Sequence, residues 1–292
     1  MLDIGRQGHH VGASKPRRIA KADVFDIDSM PHPKIAGGCA EDQEAPTKVA
    51  QRLCHFERTL ARERTGLAVI LLLMQKHVAF LHTSPVHVET FEQLMRTADS
   101  HAKVEHVVDE ALLVEAQRAG ADDPALVVRV QEAMKGAATR GAAVVVCTCS
   151  TIGGAAERTP TDGRFAAARI DRAMADRAVE LGPRVLVVAA LESTLGPTTA
   201  LIEESAVALG ARVELKHLVV QGAWSHFLGG DRVAYIEAIV AAVSAAALHT
   251  LDVIVLAQAS MSPASEALGG LGVEVLSSPR LGVRNVVARL NA

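Results

Sequence analysis

The segment Cys147-Thr148-Cys149-Ser150-Thr151-Ile152-Gly153-Gly154 holds two thiols, three hydroxyls and two glycines in eight consecutive positions. It follows an apolar run, Ala143–Val146, and leads into Ala155-Ala156-Glu157, so it reads as the turn between a buried strand and a helix. A thiol at such a turn lies near unpaired backbone N–H groups and the positive end of the helix dipole. That setting lowers a thiol pKa and also attracts carboxylates. Ser150 and Thr151 add hydroxyl donors, and Gly153 and Gly154 permit close backbone approach. Cys147 falls inside the strand and reads as an inert buried cysteine. Cys149 falls at the turn and is the candidate acid, base or nucleophile.

A second pattern locates the partners of this turn. Leu81-His-Thr-Ser-Pro85 and Val146-Cys-Thr-Cys-Ser-Thr151 look alike, and so do Leu191-Glu-Ser-Thr194 and Leu256-Ala-Gln-Ala-Ser260. Ser84 and Cys149 are 65 residues apart, as are Ser193 and Gln258, with an offset of 109 between the pairs. The pattern reads as a degenerate duplication that sets two similar lobes across a cleft.

The elements that must position these ends alternate from His77 onward. Strands are expected at 78–82, 104–108, 142–147, 185–190, 213–220, 253–257 and 273–276. Helices are expected at 88–98, 123–139, 164–181, 198–209, 232–247 and 265–268, with a further helix at the C-terminus. The strands are continuous apolar runs, as in a parallel sheet covered on both faces. The expected fold class is therefore α/β, with ligands beyond the carboxyl ends of the strands. Lobe 1 is expected at 76–171 plus 279–292 and lobe 2 at 172–278, with the active site between them. Residues 1–75 lack steady periodicity and read as a poorly ordered extension, with Met74 as an alternative start.

Charge and composition exclude several classes. Residues 1–75 carry 11 basic and 9 acidic side chains, and the rest 19 and 24, so no basic field invites nucleic acid. The longest apolar run, Gly66–Met74, is too short to span a bilayer. Four cysteines in 292 residues do not make a disulfide framework, which fits a reducing cytoplasm. His82 with His87, and His101 with His106, lack the spacing and neighbours of a metal site. No dinucleotide, phosphate-loop or serine-hydrolase motif is present. Asp109 and Glu110 read as helix-capping or surface charge. Trp224 and Phe227 read as packing, with a lid as the other reading.

The Cys149-Ser-Thr-Ile segment resembles the Cys-Asn-Thr-Ala motif of the aspartate/glutamate racemase superfamily, which includes hydantoin racemases, maleate isomerases and arylmalonate decarboxylases. The resemblance runs from Lys76 to the C-terminus. It is supported by His82-Thr-Ser-Pro85, Val108-Asp-Glu-Ala-Leu-Leu113, Ser193-Thr-Leu-Gly-Pro-Thr198 and Leu256-Ala-Gln-Ala-Ser-Met261. It implies two lobes with four-stranded parallel sheets around a small carboxylate, two opposed thiols and no cofactor. It places the first thiol at Cys149 and carboxylate-binding roles at Ser84, Ser150, Thr151, Thr194 and Ser260. Thr83 and Ser193 adjoin these positions and join the substrate-binding candidates. A soluble protein acting on a small carboxylate, without a metal, nucleic acid or membrane, is the expectation, and a homodimer is compatible with it.

The second thiol of the resemblance falls at Gln258, and an amide is no general base. Gln258 is therefore expected to face Cys149 and orient the substrate. Three readings stay open. An isomerase or racemase would replace the missing thiol with another residue, for which Glu192, His82 and His217 are candidates. A single-thiol decarboxylase or lyase would act on a malonate-like or unsaturated acid with Cys149 alone. A non-catalytic protein would only bind the carboxylate.

Overall fold

The computed structural model describes residues 76–292; the expectation for residues 1–75 lies outside the described residues. Eight strands form two four-stranded sheets. The first contains β1 (His77–His82), β2 (Lys103–Val108), β3 (Val144–Cys147) and β4 (Ala166–Arg169), in the order β2-β1-β3-β4. The second contains β5 (Arg184–Ala189), β6 (Glu214–Val219), β7 (Val253–Leu256) and β8 (Glu274–Ser277), in the order β6-β5-β7-β8. All pairings are parallel, and the repeated order makes the duplication visible in the topology.

Period-two alternation sorts each strand's side chains onto two covered faces. Ala79, Leu81 and Val145 pack against Leu112 of α2 (Ala111–Ala119) and against Leu126, Val130 and Met134 of α3 (Pro124–Ala138). On the other face, Val78, Phe80 and Val146 meet Phe91 and Met95 of α1 (Val86–Ala98). The last helix, α10 (Ser278–Leu290), joins that same face through Val283 and Val286, so the C-terminus returns to the first sheet. A Cβ at Gly282 would collide with the Ile170 carbonyl, so only glycine lets α10 lie this close. The second sheet lies between α5 (Arg172–Leu181) with α6 (Leu195–Leu209) on one side and α8 (Arg232–Ser244) on the other.

Local signals explain the element starts. Asp123 caps α3 by accepting from the N–H groups of Ala125 and Leu126, and Pro124 fills the first helical position. One expected element differs: Arg164–Leu181 is not one helix. Ala166–Arg169 forms β4, and α5 begins only at Arg172. Alanine favours helix in isolation, but pairing with β3 from Val144↔Ala166 to Cys147↔Arg169 overrides that preference. Among the described residues, no helix is long and apolar enough to cross a membrane.

Candidate active site

Strand register decides which residues share the cleft. Val78 pairs with Val144, 66 residues on, whereas Val185 pairs with Val253, 68 residues on. Cys147 and Leu256 are equivalent ends of β3 and β7, so Gln258 is the counterpart of Cys149 across the pseudo-symmetry. The first strands are displaced by two residues, so the counterpart of Ser84 is Leu191 and not Ser193.

Beyond the carboxyl ends of both sheets lies a small cavity of about 40 Å³, room for two or three water-sized groups. Cys149 and Gln258 both line it. Thr83 and Ser84 reach it from the end of β1, Thr194 from the turn after β5, and Ser260 from the turn after β7. Ser150 and Thr151 line it beside the thiol.

Ser150 and Thr151 tie the lobes together, whereas Ser260 and Gln258 are anchored within the second lobe. The Ser150 hydroxyl donates to the Ala257 carbonyl at the end of β7, 2.7 Å away. Thr151 Oγ1 and Thr194 Oγ1 share a hydrogen bond of 3.2 Å across the cleft. Ser260 Oγ bonds the Tyr235 hydroxyl at 2.8 Å. Gln258 Oε1 accepts from the N–H groups of Ala190 and Leu191, at 2.7 and 3.2 Å. Two donors on one atom fix it as the carbonyl oxygen, which leaves the amide N–H₂ as the end able to donate to a ligand.

Four candidates do not reach the cavity. Glu192 is exposed on a one-turn 3-10 helix, and Ser193 Oγ is buried without a partner outside it. The two-residue displacement of β5 turns both away. His82 is fully buried behind Thr148: its Nδ1 bonds Thr148 Oγ1 and its Nε2 bonds His106 Nδ1, each at 2.8 Å. His217 is also remote, exposed on β6 and bonded to Thr199. Among the described residues, no three His, Cys, Asp or Glu side chains converge where they could hold a metal ion.

The imidazole that does line the cavity is His87, the second residue of α1. Linear spacing gave it no distinction. Its signal was its place one turn past the Thr83-Ser84 strand end. Burial, with the positive charge of Arg232, lowers its pKa to about 4, so it is neutral at pH 7. Burial, with His106 and His87 nearby, lowers His82 to about 3.

These two histidines predict an acid-sensitive fold. Both folded pKa values lie below the ordinary 6.5, so the neutral-state stability is present above about pH 6.5. As pH falls from there toward 4 and 3, the unfolded chain takes up protons that the folded chain excludes, and stability drops. Urea midpoints at pH 7 and pH 5 should show this fall, and His82→Gln should flatten it.

The thiol turn is supported from behind by a buried ion pair. Arg169, at the end of β4, holds Asp171 through Nε–Oδ1 at 2.7 Å and Nη2–Oδ2 at 3.0 Å, and Nη2 also donates to the Ser150 carbonyl at 3.3 Å. Burial alone would raise the Asp171 carboxyl, but the Arg169 guanidinium overcomes it and holds the carboxyl below its usual range. A Cβ on Gly153 would lie 2.8 Å from Arg169 Nε, so the close approach that Gly153 permits is to this guanidinium. Burial pushes the Cys147 thiol up, and its sulfur donates to the Cys149 carbonyl at 3.5 Å. Cys147 is therefore structural, and Cys149 is the half-buried thiol at the cavity.

Two four-stranded parallel sheets with a cleft at their carboxyl ends are a fold this chain shares with solved aspartate and glutamate racemase structures. Aspartate racemase of Picrophilus torridus aligns with a TM-score of 0.55 at 13% identity, covering 74% of this chain and 94% of its own. Glutamate racemase of Thermus thermophilus, in complex with β-chloro-D-alanine, aligns with a TM-score of 0.56 at 16% identity, covering 75% and 81%. Glutamate racemase of Francisella tularensis, in complex with D-glutamate, gives 0.56 at 13%, covering 75% and 81%. No protein-family model and no curated protein matches the sequence.

Proposed function

We propose that the protein is a cofactor-independent racemase or related isomerase that moves the α proton of a small carboxylate between Cys149 and His87. The observation that carries this reading is that a half-buried thiol and a neutral imidazole line the same small interlobe cavity. The neutral imidazole accepts the α proton and becomes imidazolium, while the thiol gives its proton to the opposite face of the α carbon. The thiolate and imidazolium left behind are the reagents for the reverse step, so protons balance over the two directions. The Gln258 amide N–H₂ and the hydroxyls of Thr83 and Ser84, which line the same cavity, donate to the enediolate oxygens. A bound carboxylate raises the basicity of His87 through its negative charge. His87 thus fills the role that an amide at position 258 cannot.

The fold of the racemase structures supports this class of reaction, and the aspartate, glutamate and hydantoin chemistries set the first substrate panel. His87→Asn should slow racemisation by about a hundred- to ten-thousand-fold, the usual contribution of one acid–base group. The loss of optical rotation of an enantiopure substrate measures it. Cys149 should remain open to iodoacetamide in the same variant, which separates loss of the base from loss of the site. Unchanged racemisation in His87→Asn contradicts the assignment.

A further inference from the structure

The cavity at Cys149 holds only about 40 Å³, too little for a substrate much larger than the reacting carboxylate end. A second chamber of about 470 Å³ adjoins it, within the size range of small-molecule sites. The two share His87, Phe227, Ala259 and Ser260. The chamber runs between α1 of the first lobe and α8 of the second, and Leu94 and Ile236 give it apolar walls. Its charges are unequal. Arg280 is paired with Glu266 at 3.3 Å, whereas Arg232 makes no ion pair among the described residues. The chamber thus opens from the thiol cavity at His87, sets these apolar walls beside the polar Thr90, Gln93, Thr97 and Ser262, and carries one cation without an ion pair among the described residues.

We propose that this chamber is a second substrate subsite, which receives an aliphatic chain on the reacting carboxylate and places a terminal anionic group at Arg232. The inference rests on the functional reading above for the orientation of the substrate, with its reacting end at Cys149. It assigns a substrate class: carboxylates with a chain longer than that of glutamate and a second negative charge at the far end. The apolar walls favour the chain by removing its methylenes from water. Arg232 selects the terminus, and its guanidinium fork suits a carboxylate or phosphate.

Calorimetric titration of the full chain tests the subsite directly. The probes are succinate, adipate, suberate and octanoate. Affinity should climb from succinate to suberate by roughly fourfold per added methylene, the factor for burying one such group. Suberate should also bind more tightly than octanoate, and Arg232→Gln should remove that preference. Ile236→Trp, which fills the chamber, should remove the gain with length. Affinity that is flat or falls with length, or no binding by any of the acids, overturns the subsite. A preference for suberate that survives Arg232→Gln overturns the anionic terminus. These titrations register no proton transfer. Length-dependent binding without α-proton exchange would defeat the proposed reaction and leave the subsite standing.

Discussion

Cys149→Ala is expected to lower racemisation by about a hundred- to ten-thousand-fold. The size of the effect follows from the lack, among the described residues, of a second thiol able to take the place of Cys149 while His87 serves the other face. The other thiol beside the site, Cys147, is fully buried, its acidity is suppressed by that burial, and its sulfur is turned to the Cys149 carbonyl. The hydroxyls of Ser150 and Thr151 are engaged across the cleft with Ala257 and Thr194. Cys149→Ser should not restore racemisation, because an alcohol is a far weaker acid than a thiol. The substitution removes one half-buried sulfur and breaks no side-chain hydrogen bond found among the described residues. The urea midpoint should therefore change little while racemisation is lost. A large loss of stability would mean that the thiol serves packing.

Asp171→Ala is expected to destabilise the fold by about 3–5 kcal/mol, the usual effect of removing one partner of a buried ion pair. Arg169 and Asp171 have side-chain exposures of 3% and 0%, so neither charge can turn to water when its partner is lost. The guanidinium also holds the Ser150 carbonyl and fills the space above Gly153. The consequence therefore reaches the thiol turn as well as the stability. Iodoacetamide should modify Cys149 at a changed rate in folded Asp171→Ala protein. Replacing the pair by Met at 169 and Leu at 171 should recover stability, because no charge is then left stranded. Urea unfolding checks both variants, and a loss below about 1 kcal/mol for Asp171→Ala would contradict the supporting role.

The thiol turn and the repeated parallel sheets were legible because they depend on local order. Apolar runs mark buried strands, and small hydroxyl residues mark their ends. Cys149 and Gln258 could be matched because β3 and β7 are equivalent in length and register. Ser193 and Glu192 were misplaced because β5 is displaced by two residues against β7, a shift set by sheet pairing and invisible in linear spacing. β4 was hidden because Ala166–Ala168 prefers helix locally and becomes a strand only beside β3. Hiding β4 also hid Arg169, and with it the ion pair behind the site. His87 escaped notice because its role depends on which way α1 leaves the sheet and on Arg232 from the other lobe.

The most direct test of proton transfer between Cys149 and His87 is solvent-deuterium exchange followed by proton NMR. The full chain and its Cys149→Ala and His87→Asn variants would be incubated with enantiopure aspartate, glutamate and hydantoins, and with 2-amino derivatives of longer dicarboxylates. The account predicts deuterium at the α carbon with loss of chirality for at least one acid, the loss of chirality being abolished by Cys149→Ala and strongly slowed by His87→Asn. Loss of chirality that persists in Cys149→Ala, or deuterium delivered by the unsubstituted chain to one face with chirality kept, would contradict it.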